Sequence, residues 1–370
     1  MRCLSLYTGC GGLDLGFQQA GFHTVWANEL SSYALDTYAG EVRRSGTKAP
    51  ELVCGDISEA TLPEKHSADI VIGGPPCQGF SVAGRMNPND PRSRHVWEFF
   101  RVVEHIDPEA FVMENVKALG ANGRWKQVRD SLQAQGEKLG YQTRLLLLSA
   151  ADYGVPQLRE RIFLVGIKGK TMPTPKAKNI QLTVRAALSE LPALGQPGND
   201  SFCKAIITPA KNPVLRKSPF AGMLFNGQGR PINLDTASPT LPASMGGNRT
   251  PIIDQDNLDD PFTPPWILNY HKHLTNGGNI ADTIPSRLRR LTVEEAARLQ
   301  GFPKGMKFVG SQCAKFTQIG NSVPPPLAKA VASTLLARLT NDDPLISTEY
   351  CQTSWIAEET EPNVYHPANN

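Results

Sequence analysis

Apolar runs alternate with helix-periodic segments over the first 167 residues, and nothing else in the sequence constrains the fold as strongly. Arg2–Tyr7 reads as a short buried strand, Gly12–Ala20 as a helix closed by Gly21, and Thr24–Asn28 as a second strand. Asp69–Gly73 and Ala110–Glu114 are apolar runs bounded by turn residues, as expected of strands covered on both faces. Val96–Ile106 and Arg124–Leu139 carry helical spacing. Such alternation predicts an α/β fold with a doubly wound, mostly parallel sheet. Sheets of that kind bind ligands at the carboxyl ends of their strands, so the turns that follow the apolar runs are where chemistry is expected.

From Arg144 to Ile167 two apolar runs flank a polar loop, which suggests a strand–loop–strand unit. A Pro-, Gly- and Asn-rich stretch without a clear period follows, from about Lys168 to Pro285, and reads as a smaller, irregular, β-rich lobe of short strands and loops. Thr292–Gln300 reads as a helix, with Thr292 and Glu295 at capping-box spacing. Pro324–Pro326 can open a last helix, Leu327–Leu339, because proline is tolerated in a first helical turn. The expected division is 1–170, a catalytic and cofactor-binding domain; 171–286, the smaller lobe; 287–340, a return segment completing the first domain; and 341–370, an acidic polar tail.

The seven cysteines are scattered and form no CxxC pair, which argues against a disulfide framework and a structural zinc site; no metal is expected. No apolar run reaches 18 residues and no basic-then-apolar leader opens the chain, so neither a membrane span nor a secretion signal is expected, and a bacterial cytoplasmic, nucleoid-associated location fits. The net charge of +3 hides a local surplus. The tail 341–370 holds six acids and no Lys or Arg, leaving residues 1–340 at +9. Between Lys168 and Thr250 eleven Lys and Arg face only Glu190, Asp200 and Asp235. A basic stretch of this kind suits a polyanion partner, although charge alone fits a merely solvated face equally well.

Several turns and strand ends carry candidate chemistry. The glycine turn Tyr7-Thr8-Gly9-Cys10-Gly11-Gly12 lies between a strand and a helix, and Glu29 ends the next strand, where a carboxylate can grip the ribose hydroxyls of a nucleoside. Asp56 is placed to bond the exocyclic amine of an adenine, or simply to cap a turn. In Gly74-Pro75-Pro76-Cys77 two prolines fix the chain just before a thiol, at the carboxyl end of an apolar run. A buried, inert cysteine is the commoner alternative, but this rigid, glycine-flanked setting disfavours it. Glu114 follows another apolar strand, so an acid and a thiol emerge from two strand ends of one sheet. In Gln157-Leu158-Arg159-Glu160-Arg161, alternation puts Gln157, Arg159 and Arg161 on one side, able to hold a base carbonyl, a phosphate or a carboxylate, or to form a surface charge cluster. The Gln318–Pro324 stretch reads as a polar loop.

Together these residues resemble the DNA cytosine-5 methyltransferases of prokaryotic restriction–modification systems. The matching blocks, in order, are LYTGCGGLDLGF, Asn28-Glu29, GDI, GGPPCQGFS, ENV, QLRER, RLTVEEAARLQGFP and QIGNSVPPPLAKAV. The resemblance implies a Rossmann-like lobe that binds S-adenosyl-L-methionine and a target-recognition lobe, with double-stranded DNA between them. It implies cofactor contacts from Tyr7, Gly9, Cys10, Gly11, Gly12, Leu13 and Glu29, from Asp56 and Ile57 on the adenine, and from Gly74, Pro76, Asn321 and Ser322. It implies Cys77 as a covalent nucleophile at cytosine carbon 6, Glu114 at ring nitrogen 3, and Arg159 or Arg161 on the base carbonyl. The block Asp90-Pro91-Arg92-Ser93 resembles a further family motif, but His95 stands where the family usually has Leu, so it is not carried over as a cofactor contact.

DNA contacts are expected from Gln78, Ser81 and Gln157 and, in the basic lobe, from Arg230, Thr240, Leu241, Gly247, Asn248 and Arg249. The resemblance further suggests a monomer paired with a cognate restriction endonuclease. A tRNA methyltransferase of the same chemistry is disfavoured, because such relatives usually carry a Cys-Phe-Thr tripeptide, absent here, and a small recognition lobe. A catalytically silent DNA-binding module is disfavoured by the presence of both Cys77 and Glu114.

Overall fold

The computed structural model describes residues 1–76, 94–178 and 180–340. Cys77, Gln78, Ser81, the Asp90–Ser93 block and the tail 341–370 lie outside the described residues.

The strands that matter here are β1 (Arg2–Leu6), β2 (His23–Glu29), β3 (Glu51–Cys54), β4 (Ile70–Gly73), β5 (Ala110–Val116), β6 (Tyr141–Ser149), β7 (Gln157–Leu158) and β8 (Glu160–Lys168). Seven of them form one sheet in the order β3-β2-β1-β4-β5-β8-β6. The first five run parallel. β8 is antiparallel to both β5 and β6, as the strand–loop–strand reading requires. The chain travels outward from β1 to β3 and then restarts at β4 on the other side of β1. The crevice between β1 and β4 is therefore the switch point at which such sheets hold ligands.

Burial explains the sequence pattern. All four residues of β4 are buried, and so are the first six of β5, because both faces of the sheet are covered. On one face the helices Gly12–Gln19 and Pro325–Thr340 pack Phe17, Val331 and Leu335 against Ile70, Ile72 and Val112. On the other, Phe99 and Phe100 of His95–Ile106 and Leu132 of Lys126–Lys138 pack against Leu4, Val71 and Phe111. The first and last helices approach so closely that a Cβ on Gly16 would lie 2.3 Å from the Cβ of Ala328.

Of the helices that the sequence does not announce, two border the site described below. Ser32–Ser45 follows β2, capped by Ser31. Gln312–Asn321 replaces most of the polar loop expected before Pro324; Ser311 caps it and Phe316 and Ile319 bury its inner face. The capping box of Thr292 and Glu295 is present as expected. The smaller lobe is irregular, with short strands at Pro209–Val214, Met223–Phe225, Ser238–Pro239 and Ile252–Asp254. It also contains the helix Trp266–Thr275, whose Ile267 and Tyr270 share a local core with Leu224 and Phe225. A larger core joins this lobe to the sheet domain: Leu241 and Met245 pack with Leu299, Phe316 and Ile319, and with Cys10 and Leu15. Among the described residues no helix is long and apolar enough to cross a membrane, and no group of acids, histidines and cysteines has the arrangement of a metal site.

Candidate active site

The carboxyl ends of β1, β2, β4 and β5 open into one cavity of about 460 Å³. That lies within the range of roughly 300–1,000 Å³ typical of small-molecule sites. Its wall begins at the glycine turn. Gly9 and Gly11 have φ of +58° and +87°, which only glycine adopts freely, and this lets the turn fold back toward β2. The amide of Gly9 then donates to Oε2 of Glu29 at 2.9 Å, and the amide of Ser31 to Oε1 at 2.9 Å. Glu29 is thus anchored on both oxygens by backbone amides. Each oxygen retains accepting capacity, as a ribose diol requires.

Asp56 follows β3. Its Oδ1 accepts from the amide and hydroxyl of Ser58, which hold its carboxyl below the usual range, helped by the charge of Arg94. Tyr7, Gly9, Gly12, Leu13, Ile57, Gly74, Pro76, Asn321 and Ser322 also line the cavity, as expected from the sequence. Two expected cofactor contacts do not. Cys10 is fully buried behind the turn, its Sγ 3.1 Å from Oγ of Ser322, and burial pushes the thiol up to about 12. Gly11 faces the ring of Tyr38, 2.3 Å from where a Cβ would sit. Both shape the turn and touch nothing in the cavity. Conversely, His95 lines the cavity although the sequence argued against it; its partner Tyr7 is 88 residues away, a contact no local pattern announces.

At the other end of the cavity stand Glu114 and Arg161. Arg161 Nε lies 2.9 Å from Glu114 Oε1, with both side chains largely buried. Burial raises the Glu114 carboxyl above its ordinary value, outweighing the opposite pull of Arg161 and then Arg159. An acid in such a setting holds its proton more readily than a surface glutamate. Gly74 gives it room, since a Cβ there would lie 3.0 Å from Glu114 Oε2. The next residue, Asn115, donates from Nδ2 to the carbonyl of Pro75 at 3.2 Å. The end of β5 therefore holds both the acid and the diproline turn that leads into Cys77.

The alternation of Gln157, Arg159 and Arg161 is real, but it divides their tasks. Gln157 is fully buried; its amide donates to Leu299 O and Gln300 Oε1, and its carbonyl accepts from the amide of Leu241. The expectation that Gln157 touches DNA is corrected: it fastens the smaller lobe to the sheet domain. Arg159 is likewise buried and donates to the carbonyls of Leu241 and Gly320. Leu241 is buried at 1% exposure, so its side chain does not face a DNA surface. Thr240 is exposed and donates to Leu158 O. Arg230, Asn248 and Arg249 are exposed and Gly247 half-buried, in a loop whose Asn248 carbonyl accepts from Arg290.

A switch-point cavity with a paired ribose-type carboxylate at one end and a buried acid–arginine pair at the other defines the Rossmann-like methyltransferase class. A family model described as C-5 cytosine-specific DNA methylase matches residues 1–337; the chain belongs to that family and is a DNA (cytosine-5-)-methyltransferase. It is similar to the Type II methyltransferase M1.HphI of Haemophilus parahaemolyticus, at 33% identity over 92% of this chain and 87% of the relative. It is also similar to M.FnuDI of Fusobacterium nucleatum, at 31% identity over 93% and 96%. Among solved structures, the Entamoeba histolytica methyltransferase EhMeth shares the fold, with a TM-score of 0.64 at 15% identity over 92% of this chain and 98% of that one. The methyltransferase Dnmt2 of S. pombe does so with a TM-score of 0.60 at 17% identity, over 92% and 99%.

Proposed function

We propose that this enzyme methylates carbon 5 of a cytosine within a specific double-stranded DNA sequence, by flipping the base and forming a transient bond between Cys77 and carbon 6. The observation that carries the reading is the shared anchorage at the end of β5, where Glu114 pairs with Arg161 and Asn115 holds Pro75, two residues before Cys77.

S-adenosyl-L-methionine fits the cavity by volume and by donor set and supplies an electrophilic methyl group when bound. Glu29 would hold the ribose hydroxyls, Asp56 and Ile57 the adenine, and Gly74, Pro76, Asn321 and Ser322 the methionine portion. No metal is needed. The protein's own part is to make an unreactive ring carbon nucleophilic. A free cysteine titrates near ~8.5, so a small thiolate fraction attacks carbon 6. Glu114, whose hold on a proton burial strengthens, donates to nitrogen 3 as negative charge develops on the ring, and Arg161 holds the base carbonyl. Carbon 5 would take up the donor's methyl group, and transfer of the carbon 5 proton to a base would then break the bond from carbon 6 to Cys77 and release the thiolate. Flipping costs a few kcal/mol, offset by pocket contacts.

Relatives are named Type II methyltransferases, which supports a role in protecting DNA from a cognate restriction endonuclease. DNA containing 5-fluorocytosine tests the chemistry, because fluorine at carbon 5 blocks the final elimination. The parent enzyme is expected to give a covalent adduct on a denaturing gel and the Cys77→Ser variant none. Trapping by the serine variant, or none by the parent, refutes the mechanism.

A further inference from the structure

Tyr7 and His95 form a pair that the mechanism above does not use. Tyr7 is the last residue before the glycine turn and has φ of +53°, a left-handed conformation that strains a residue with a side chain. Its ring stands edge-on to the imidazole, at 87° and 5.6 Å between centroids. Its hydroxyl lies 3.1 Å from Nδ1 of His95 and 3.2 Å from the His95 carbonyl. Burial pushes the phenol far up, so the hydroxyl keeps its single proton, which it can give either to Nδ1 or to the carbonyl. Both side chains line the cavity.

The corner of the cavity is defined by its neighbours. Arg101, on the helix that His95 begins, donates to the carbonyl of Ile57 at 2.9 Å, which fixes that helix against the Asp56-Ile57 turn. Asp56 and Ile57 line the same cavity as Tyr7 and His95. Tyr7, His95, Asp56 and Ile57 therefore surround one end of the cavity, and Glu114 and Arg161 the other. A hydroxyl that donates to Nδ1 leaves the proton of a neutral imidazole on Nε2. The ring nitrogens of an adenine are acceptors without protons.

We propose that His95 is a specificity-determining residue for the cofactor: locked by the Tyr7 hydroxyl, its Nε2–H donates a hydrogen bond to a ring nitrogen of the adenine. This rests on the reading of the cavity as the S-adenosyl-L-methionine site. It separates two roles at the base end, with Asp56 accepting from the exocyclic amine and His95 donating to the ring.

The test is equilibrium binding of S-adenosylhomocysteine and its 1-deaza, 3-deaza and 7-deaza analogues, each of which replaces one ring acceptor with C–H. The parent enzyme is expected to bind one analogue about fivefold more weakly than S-adenosylhomocysteine, the effect of one lost hydrogen bond. His95→Leu should bind that analogue and S-adenosylhomocysteine equally. Tyr7→Phe, which keeps the ring and removes the hydroxyl, should lose most of the same discrimination. If the parent discriminates among no analogues, or if His95→Leu keeps the parent's pattern, the assignment of His95 is overturned while the cavity's identity stands. If the parent does not bind S-adenosylhomocysteine at all, both fall.

Discussion

Glu114 and Asp14 are both buried carboxyls, yet only one has an arginine beside it. Glu114 pairs with Arg161 and lines the cavity, and its raised titration suits an acid that must be neutral to donate. Glu114→Gln keeps the shape and loses the transferable proton. Single-turnover methylation is expected to fall by about 10²–10³-fold, in line with removal of one general acid, with S-adenosylhomocysteine binding unchanged. A loss smaller than tenfold would place the acid elsewhere. Asp14, in the first turn of the helix Gly12–Gln19, is surrounded by the hydroxyls of Ser5, Thr24 and Tyr38, and burial raises it from 3.8 to about 6. Because its folded value lies above its unfolded one, the folded state binds more protons between the two, and stability falls as pH rises from about 4 to 6. The ionised form costs on the order of 3 kcal/mol at neutral pH. Asp14→Asn should therefore gain on the parent as pH rises through that window, measured by urea unfolding at several pH values. Parallel curves for the two proteins would show that Asp14 is not the group responsible.

Elements show why some residues were legible and others not. The strand ends were: an apolar run followed by glycine, proline or a carboxylate announces itself, and Glu29, Gly74 and Glu114 sit where the runs placed them, whereas the half-exposed β3 before Asp56 has no such run. The helix Gln312–Asn321 was not, because its outer face is polar and its buried residues are few. That helix nevertheless borders the cavity through Gln318, Gly320 and Asn321 and the smaller lobe through Thr317, which donates to the Ala243 carbonyl at 3.1 Å. Gly320 is the tightest point of that contact, since a Cβ would lie 2.5 Å from the Cα of Ala243. Gly320→Ala must push the two backbones apart, and a loss of about 1–3 kcal/mol is expected from chemical denaturation. A fully stable alanine variant would mean that the contact gives way freely.

At the scale of the molecule, the basic surplus of Lys168–Thr250 and the exposed Arg230, Asn248 and Arg249 belong to the smaller lobe, while its attachment runs through buried Gln157, Arg159 and Leu241. Sequence-reading contacts are thus expected from the exposed loop and not from the buried ones. Exchanging residues 240–250 for those of a relative should change which site is protected from a restriction nuclease, whereas Gln157→Ala should lower stability without changing the site. An unchanged site after the exchange would remove this loop from recognition. The amino-acid order by itself determined the strand–helix alternation, the carboxyl-end turns and the charge of each stretch, because all three depend on near neighbours in the chain. Only the tertiary structure decided which turn residues face the cavity and which lie behind it. Cys10 and Gly9 are adjacent in sequence but separated by a left-handed turn, and His95 meets Tyr7 only when the helix it begins is packed on the sheet; such contacts are set by three-dimensional packing of distant segments, which no local pattern encodes.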